Sequence, residues 1–206
     1  AEFWFNRLVR LLNHAPAGPL AAIDGLGVIT VPAPACDRLR LAETLLARFK
    51  ALPDLMRQAA CAAVDDQLAP YLPLHARQRA SFDWDQAREM AAAGIEIASH
   101  TINHPVLSQL DDATLDHELR ESRAVIHREL GRDLPVVAYP VGKVGAYDER
   151  VMAAARACGY RLGLSYEHGV TPLASLPSFD MRRLAVERYT TRSYFNAMLS
   201  LPEVFR

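Results

Sequence analysis

The sequence predicts an α/β fold in which parallel strands alternate with helices. From Ser81 onward, short apolar runs at residues 95–99, 136–139 and 162–166 are separated by helical patterns. The helical patterns before these runs end at Gly94, Gly131 and Gly159, and glycine is the usual residue after a helix C-terminus. Strands separated by helices pair in parallel through right-handed crossovers. Residues 1–80 lack this alternation, and we predict that they form a helical insertion or subdomain before residues 81–206.

The first 80 residues carry three helical patterns. Apolar residues from Phe3 to Leu12 recur at helical spacing, and the segments Asp37–Ala51 and Leu55–Leu68 are amphipathic. The intervening segment Ala22–Val31 contains two glycines and is predicted to be a short hairpin or an extended piece. A polar stretch, His75–Arg79, closes the region.

The remaining elements follow in order from residue 81. Asp83 is a good N-cap for a helix that Gly94 ends, and Asp111 and Asp112 are predicted caps of a long second helix. Tyr147-Asp148 starts a third helix. The predicted strands are Ile95–Ser99, Val136–Tyr139, Leu162–Tyr166 and Met181–Val186, and the long and final helices are Ala113–Leu130 and Ser193–Leu199.

Composition narrows the functional class. The chain has 206 residues, half of them hydrophobic, so it can bury a sizeable core. The 23 Lys and Arg residues are dispersed and balanced by 24 Asp and Glu, which argues against a nucleic-acid partner. No apolar run is long enough to predict a transmembrane segment. The three widely separated cysteines fit neither a zinc knuckle nor a disulfide framework.

The segment His100-Thr101-Ile102-Asn103-His104-Pro105 is the strongest chemical signal. Imidazole is a good ligand for zinc and similar ions, and residues i and i+4 of a helical turn lie on one face. A turn at the carboxyl end of a strand faces the crevice where α/β folds place their chemistry. The alternative is a capping or core histidine pair. We expect metal ligation by His100 and His104, with a third ligand still to be found.

Three stretches of the sequence carry further motifs. They are Phe82-Asp83-Trp84 through Gly94 to His104-Pro105, Ala138-Tyr139-Pro140-Val141-Gly142, and Tyr147-Asp148 through Ala155 to Gly159-Tyr160. Together they resemble the polysaccharide deacetylase family, whose catalytic domain is shared with chitooligosaccharide deacetylases. The resemblance covers residues 81–186 well, and it implies that both histidines bind a divalent metal, expected to be zinc. It also implies an incomplete, irregular (β/α) barrel and hydrolysis of the acetamide of an N-acetylhexosamine unit.

The chain departs from the family in its acidic motif. The family's first motif, Thr-Phe-Asp-Asp-Gly, supplies the catalytic base and the third metal ligand, and no such run occurs in this sequence. Asp24-Gly25 lacks a second carboxylate, and Asp65-Asp66 lies in a helical pattern without the glycine. The nearest candidate for the family's final histidine is His168, but its neighbours do not match that motif.

The resemblance assigns roles to three further residues. The family places an oxyanion-binding backbone N–H after the proline of its third motif, which corresponds here to Val141, a position where the family usually has tyrosine. The arginine that orients the catalytic carboxylate is replaced by Ala138, and Arg183 is a candidate substitute from a neighbouring strand end. Tyr139 is either a substrate-binding wall of the cleft or part of the core.

Two explanations of the missing motif remain open. The chain is either an incomplete catalytic domain, which fits a start at Ala1, or a non-catalytic glycan-binding or structural relative. A third hypothesis is a metal-dependent amidase that acts on a small molecule, because the same fold can serve either substrate. A carbohydrate substrate is the expected partner, and an uncovered barrel edge should associate with a missing segment or another chain. The resemblance also suggests an extracytoplasmic or cell-envelope location.

Overall fold

The computed structural model describes residues 3–73, 81–132, 134–176 and 178–205. The chain divides into two compact units, Ala1–Asp83 and Trp84–Arg206. The polar stretch His75–Arg79, including His75, lies outside the described residues. No described helix is both long enough and apolar enough to cross a lipid bilayer.

The first unit is helical, as its sequence pattern predicts. Its core is formed by the apolar faces of the helices, and Leu11, Leu12 and Phe49 are almost completely buried. The predicted hairpin region contributes only a two-residue antiparallel ladder. The elements are α1 (Trp4–His14), β1 (Gly18–Pro19), β2 (Thr30–Val31), α2 (Ala35–Ala51), α3 (Asp54–Leu68) and a 3-10 turn at Ala69–Tyr71.

The second unit alternates helices and strands. Its long helix is capped as predicted, since the Asp111 carboxylate accepts a hydrogen bond from the Thr114 N–H and Gly131 ends the helix with φ +68°. The elements are α4 (Trp84–Ala92), α5 (Asp112–Leu130), β3 (Val136–Ala138), α6 (Glu149–Ala157), β4 (Leu162–His168), β5 (Met181–Arg183) and α7 (Arg192–Ser200), with 3-10 turns at Leu107–Gln109, Leu173–Ser175 and Pro202–Phe205.

A parallel sheet in the order β3-β4-β5 is the centre of the second unit. The predicted strand Ile95–Ser99 joins this sheet only at Ser99, which forms a parallel bridge to Val137 of β3. Ile95 is 47% exposed, and residues 95–98 form no strand pairing with the described residues. The last strand is likewise shorter than predicted and ends at Arg183.

The observed architecture is therefore a mixed α/β fold, and the described residues form no closed barrel. The core of the second unit lies between the sheet and helices α5 and α6, and it includes Leu115, Leu119, Val137, Tyr139 and Val151. Burying each such side chain contributes about 1.5–3 kcal/mol. Because the strands are parallel, the residues that follow them meet at one edge of the sheet.

Candidate active site

The two histidines of the turn after Ser99 lie side by side. Their ring centroids are 4.8 Å apart and the rings are nearly perpendicular, at 77°. Thr101 and His104 both adopt left-handed backbone conformations, with φ of 65° and 53°. Such angles are unfavourable for side chains with a Cβ, above all for a β-branched residue such as Thr101. The turn is thus a strained conformation that brings both imidazoles together.

The contacts of His100 fix its tautomer. Its Nδ1 lies 2.6 Å from the carbonyl oxygen of Ala138, at the end of β3. Because a carbonyl can only accept, Nδ1 carries the proton and Nε2 keeps its lone pair. Burial lowers the pKa of His100 most strongly, the Ala138 carbonyl opposes this shift, and the charge of Arg183 lowers the pKa further. A neutral imidazole with a fixed tautomer is the form that binds metals.

A residue that the sequence argument missed, Glu118 of α5, holds this turn. Its carboxylate accepts hydrogen bonds from the N–H groups of Ile102 (2.8 Å) and Asn103 (3.1 Å) and from the side-chain amide of Asn103 (2.7 Å). Glu118 is only 3% exposed. The sequence contains a signal, because Glu118 interrupts the apolar face of α5 that includes Leu115 and Leu119.

Asn103 accordingly shapes the turn, through both its backbone N–H and its side chain. A second polar contact lies one helical turn further along α5. The Ser122 hydroxyl is 2.7 Å from that of Ser99, and it also lies 3.3 Å from the Tyr160 hydroxyl. The Thr101 hydroxyl accepts a hydrogen bond from the His104 N–H inside the turn. The histidine turn is therefore fixed by side chains rather than by a strand ladder.

The loop after β3 forms a tight turn centred on Val141. Val141 has a φ of +62°, and the Gly142 N–H donates to the Pro140 carbonyl at 2.6 Å. A three-residue turn with positive φ is the rare, strained γ-turn. Gly142 is required because a Cβ there would lie 2.8 Å from the backbone nitrogen of Tyr166. Among the described residues, none accepts a hydrogen bond from the Val141 N–H.

Arg183 ends β5, and its guanidinium lies over the ring of Tyr166, 5.2 Å from the centroid. Its Nε donates to the Ser165 carbonyl at 2.6 Å. Within the described parts of the chain, no carboxylate forms an ion pair with Arg183. Arg183 ends β5 and His100 directly follows the bridge of Ser99 to β3, so both lie at the carboxyl edge of the parallel sheet. The charge of Arg183 contributes to the lowered pKa of His100.

The position of Tyr139 favours core packing, the second of its two predicted roles, over substrate binding. The side chain is 1% exposed and stacks on Tyr147, with centroids 4.7 Å apart. Its hydroxyl donates to the Phe179 carbonyl at 2.9 Å. Burial raises the pKa of this phenol far above its usual range. The geometry favours core packing, because a buried ring with a satisfied hydroxyl offers no surface to a ligand.

The histidine pair fits two positions of a metal site. Two imidazoles on one tetrahedral ion have centroids about 5 Å apart when the metal–nitrogen bonds are about 2.0–2.1 Å. The observed 4.8 Å agrees with that separation. However, no cluster of three or more His, Cys, Asp or Glu side chains suited to a metal occurs among the described residues. The described residues therefore offer two potential ligands, and a third is not found among them.

The acidic stretches considered from the sequence do not resemble the missing motif in structure either. Asp24 is exposed in a tight turn between Ile23 and Gly27, and Asp65 lies inside α3, where it pairs with Arg7. His168 lies within β4, and its Nδ1 accepts a hydrogen bond, 3.4 Å long, from the Ala185 N–H. Three further histidines are exposed: His14, His117 and His127.

Comparisons with known proteins agree on one family. The family model for polysaccharide deacetylase matches residues 57–163, just over half of the chain. YxkH of Bacillus subtilis (strain 168), whose name places it among candidate polysaccharide deacetylases, is 34% identical over 85 residues. That alignment covers 41% of this chain and 29% of YxkH.

Two solved structures have a similar fold. The deacetylase PplD of Streptococcus pyogenes, solved in complex with acetate, has a TM-score of 0.53 at 22% identity, over 59% of this chain and 52% of PplD. A candidate polysaccharide deacetylase of Bacillus anthracis has a TM-score of 0.50 at 26% identity, over 57% of this chain and 36% of the other. The chain thus spans between about a third and a half of the relatives it matches. The matched segment includes the histidine turn and the Val141 loop, and this chain belongs to the polysaccharide deacetylase family.

Proposed function

We propose that this chain supplies part of the catalytic domain of a metal-dependent hydrolase that removes N-acetyl groups from a polysaccharide or oligosaccharide. The observation that carries the proposal is the convergence of His100 and His104, 4.8 Å apart. The tautomer of His100 makes Nε2, and not Nδ1, its possible metal-binding nitrogen. When bound, a divalent ion, which we propose to be zinc, polarises the acetyl carbonyl and lowers the pKa of water.

The Val141 backbone N–H is the proposed donor to the oxyanion. A backbone donor held in a rigid turn needs no reorganisation as charge develops on the substrate oxygen. The γ-turn fixes the Val141 peptide through the bond between Gly142 and Pro140, and Gly142 is in turn packed against Tyr166. The valine side chain is not needed for this role.

Arg183 is the proposed positioning residue for a catalytic carboxylate. Two contacts fix its side chain, the Ser165 carbonyl and the Tyr166 ring, while no described carboxylate pairs with it. Arginine holds carboxylates well because its planar fork can donate two parallel hydrogen bonds. We propose that the carboxylate it orients, and the third metal ligand, come from outside the described residues.

The three-stranded sheet is, in this proposal, one part of a larger irregular (β/α) barrel. Further strands would cover the edge that Ile95 leaves exposed. The carbohydrate substrate would bind at the edge where the histidine turn and the Val141 loop meet. An extracytoplasmic or cell-envelope location follows from this substrate class.

A non-catalytic glycan-binding role is the second candidate. It is favoured by the lack of a third metal ligand among the described residues. The presence of Ala138 where the family has arginine favours it as well. Binding of an oligosaccharide without acetate release would establish this alternative.

The test is metal analysis together with acetate release from an N-acetylated oligosaccharide by the full-length gene product. We expect His100→Ala and His104→Ala to lose both the metal and acetate release, whereas the exposed His117→Ala keeps both. Arg183→Ala should lower turnover, and the exposed neighbour Arg182→Ala should not. Full activity in either of the two histidine variants would refute the ligand assignment. Unchanged turnover in Arg183→Ala would refute the arginine role.

A further inference from the structure

Glu118 is a buried carboxylate whose hydrogen bonds all go to the histidine turn. We propose that Glu118 is a positioning residue that holds the segment 101–104 so that the two imidazoles converge on one ion. The inference rests on the proposed function, because it assigns a role toward the metal site. Glu118 lies on α5 and does not itself contact either imidazole in the described geometry.

Each oxygen of the carboxylate has a separate task. Oε2 accepts from the backbone N–H groups of Ile102 and Asn103, at 2.8 and 3.1 Å, and Oε1 accepts from the Asn103 side chain at 2.7 Å. These backbone groups have no ladder partner, since the predicted strand pairs only at Ser99. Glu118 thus replaces the pairing that a strand would have given.

The turn needs this support because it is strained at both ends. Thr101 and His104 have positive φ, and Ile102 and Asn103, whose N–H groups Glu118 binds, lie between them. Left-handed residues persist only where the surroundings hold them. Without the carboxylate, the backbone would relax toward negative φ, and such a rotation at His104 would turn its ring away from His100.

Helix α5 is a suitable anchor because it holds the segment at two points. Ser122 lies four residues after Glu118, on the same face, and its hydroxyl contacts that of Ser99 immediately before the turn. Glu118 and Ser122 are 3% and 5% exposed. Helix α5 is therefore hydrogen-bonded both to the start and to the middle of the histidine segment.

The test exchanges donor and acceptor between Asn103 and Glu118. Asn103→Asp places two carboxylates against each other, whereas adding Glu118→Gln restores an N–H···O contact in the opposite sense. Glu118→Gln alone keeps the contacts, because the Asn103 amide can turn over and accept. Glu118→Leu removes all three hydrogen bonds, and Glu121→Gln, on an exposed part of α5, is the control.

Two measurements are made on the whole 206-residue chain. The first is the nuclear Overhauser effect between the His100 and His104 rings without metal, and the second is zinc affinity by calorimetry. We expect Glu118→Leu and Asn103→Asp to lose the ring contact and to weaken zinc binding by about 10–100-fold, as for other groups that orient metal ligands. Glu118→Gln, the double variant and the control should resemble the wild type.

Rescue by the double variant separates positioning from a general loss of folding. If Glu118→Leu does not fold, the Asn103→Asp variant and its rescue still decide the question. A retained ring contact in Asn103→Asp, or a double variant no better than Asn103→Asp, would overturn the role of Glu118. If the ring contact follows the expected pattern but the full-length gene product binds no metal, the proposed function is wrong, whereas the positioning of the turn by Glu118 stands.

Discussion

Val141 occupies a backbone conformation that its side chain disfavours, and replacing it with glycine measures that strain. The left-handed φ of +62° costs a residue with a Cβ about 1–2 kcal/mol. Val141→Gly removes this cost. It also loses about 0.5–1 kcal/mol through the greater freedom of glycine in the unfolded chain. Since Val141 is half-buried, its isopropyl group contributes roughly 1 kcal/mol, about half of the value for a fully buried valine.

These contributions nearly cancel, so the free energy of unfolding of Val141→Gly should lie within about 0.5 kcal/mol of the wild-type value. The matched control is Val136→Gly in β3, which is also half-buried but lies in an extended strand with nothing to relieve. We expect this control to lose about 2 kcal/mol, from burial and chain entropy together.

The assay is urea unfolding followed by near-UV circular dichroism of the tyrosines, six of the seven of which lie in residues 84–206. The predicted difference of about 1.5 kcal/mol between the two variants equals the strain at Val141. Equal decreases in the free energy of unfolding of both variants would show that the turn is not strained. The proposal that the turn preorganises the Val141 N–H would then lose its support.

Three further predictions concern the fold and the ionisation of the site. Tyr139→Phe should lower the free energy of unfolding by about 1 kcal/mol, because the hydrogen bond to the Phe179 carbonyl is lost, and a changed KM in the active protein would restore a substrate role. Asp148→Ala should cost about 1 kcal/mol in urea unfolding, since this carboxylate caps α6 by accepting from the Val151 N–H, and Asp148→Asn should retain most of it. His100 should titrate below 6.5 by NMR without metal, because burial disfavours its charged form. Below pH 6.5 the unfolded chain then binds a proton at His100 more readily than the folded chain does, so the free energy of unfolding should fall as the pH falls. His100→Gln should reduce this loss.

Much of the second unit could be predicted from local patterns. Asp111 and Gly131 mark the ends of α5 in the sequence as they do in the structure, because capping depends on neighbours within a few residues. The histidine spacing predicted that both rings would lie together, although the predicted helical turn was wrong, because residues 100–105 form no helix. Local hydrogen bonding determines the helix caps, so a short window of sequence contains the information for them.

The parts that could not be predicted depend on distant residues. The segment from Ile95 has the composition of a strand but finds a ladder partner only at Ser99. The sequence is equally compatible with Tyr139 as a cleft wall or as a core residue. The structure shows that Gly163, which has no side chain, leaves space for the Tyr139 hydroxyl in the core. The support by Glu118 depends on a contact across 15 and 16 residues, which no local pattern specifies.

The proposed function depends on His100 and His104 binding one divalent ion together. The direct measurement is a zinc titration of the ¹⁵N-labelled chain, in which the imidazole nitrogens of both residues are followed by NMR. We predict that both rings shift together with one stoichiometry and one apparent affinity, and that either alanine variant removes the shift of the remaining ring. Rings that do not respond to zinc, or that respond with separate affinities, would contradict the central claim.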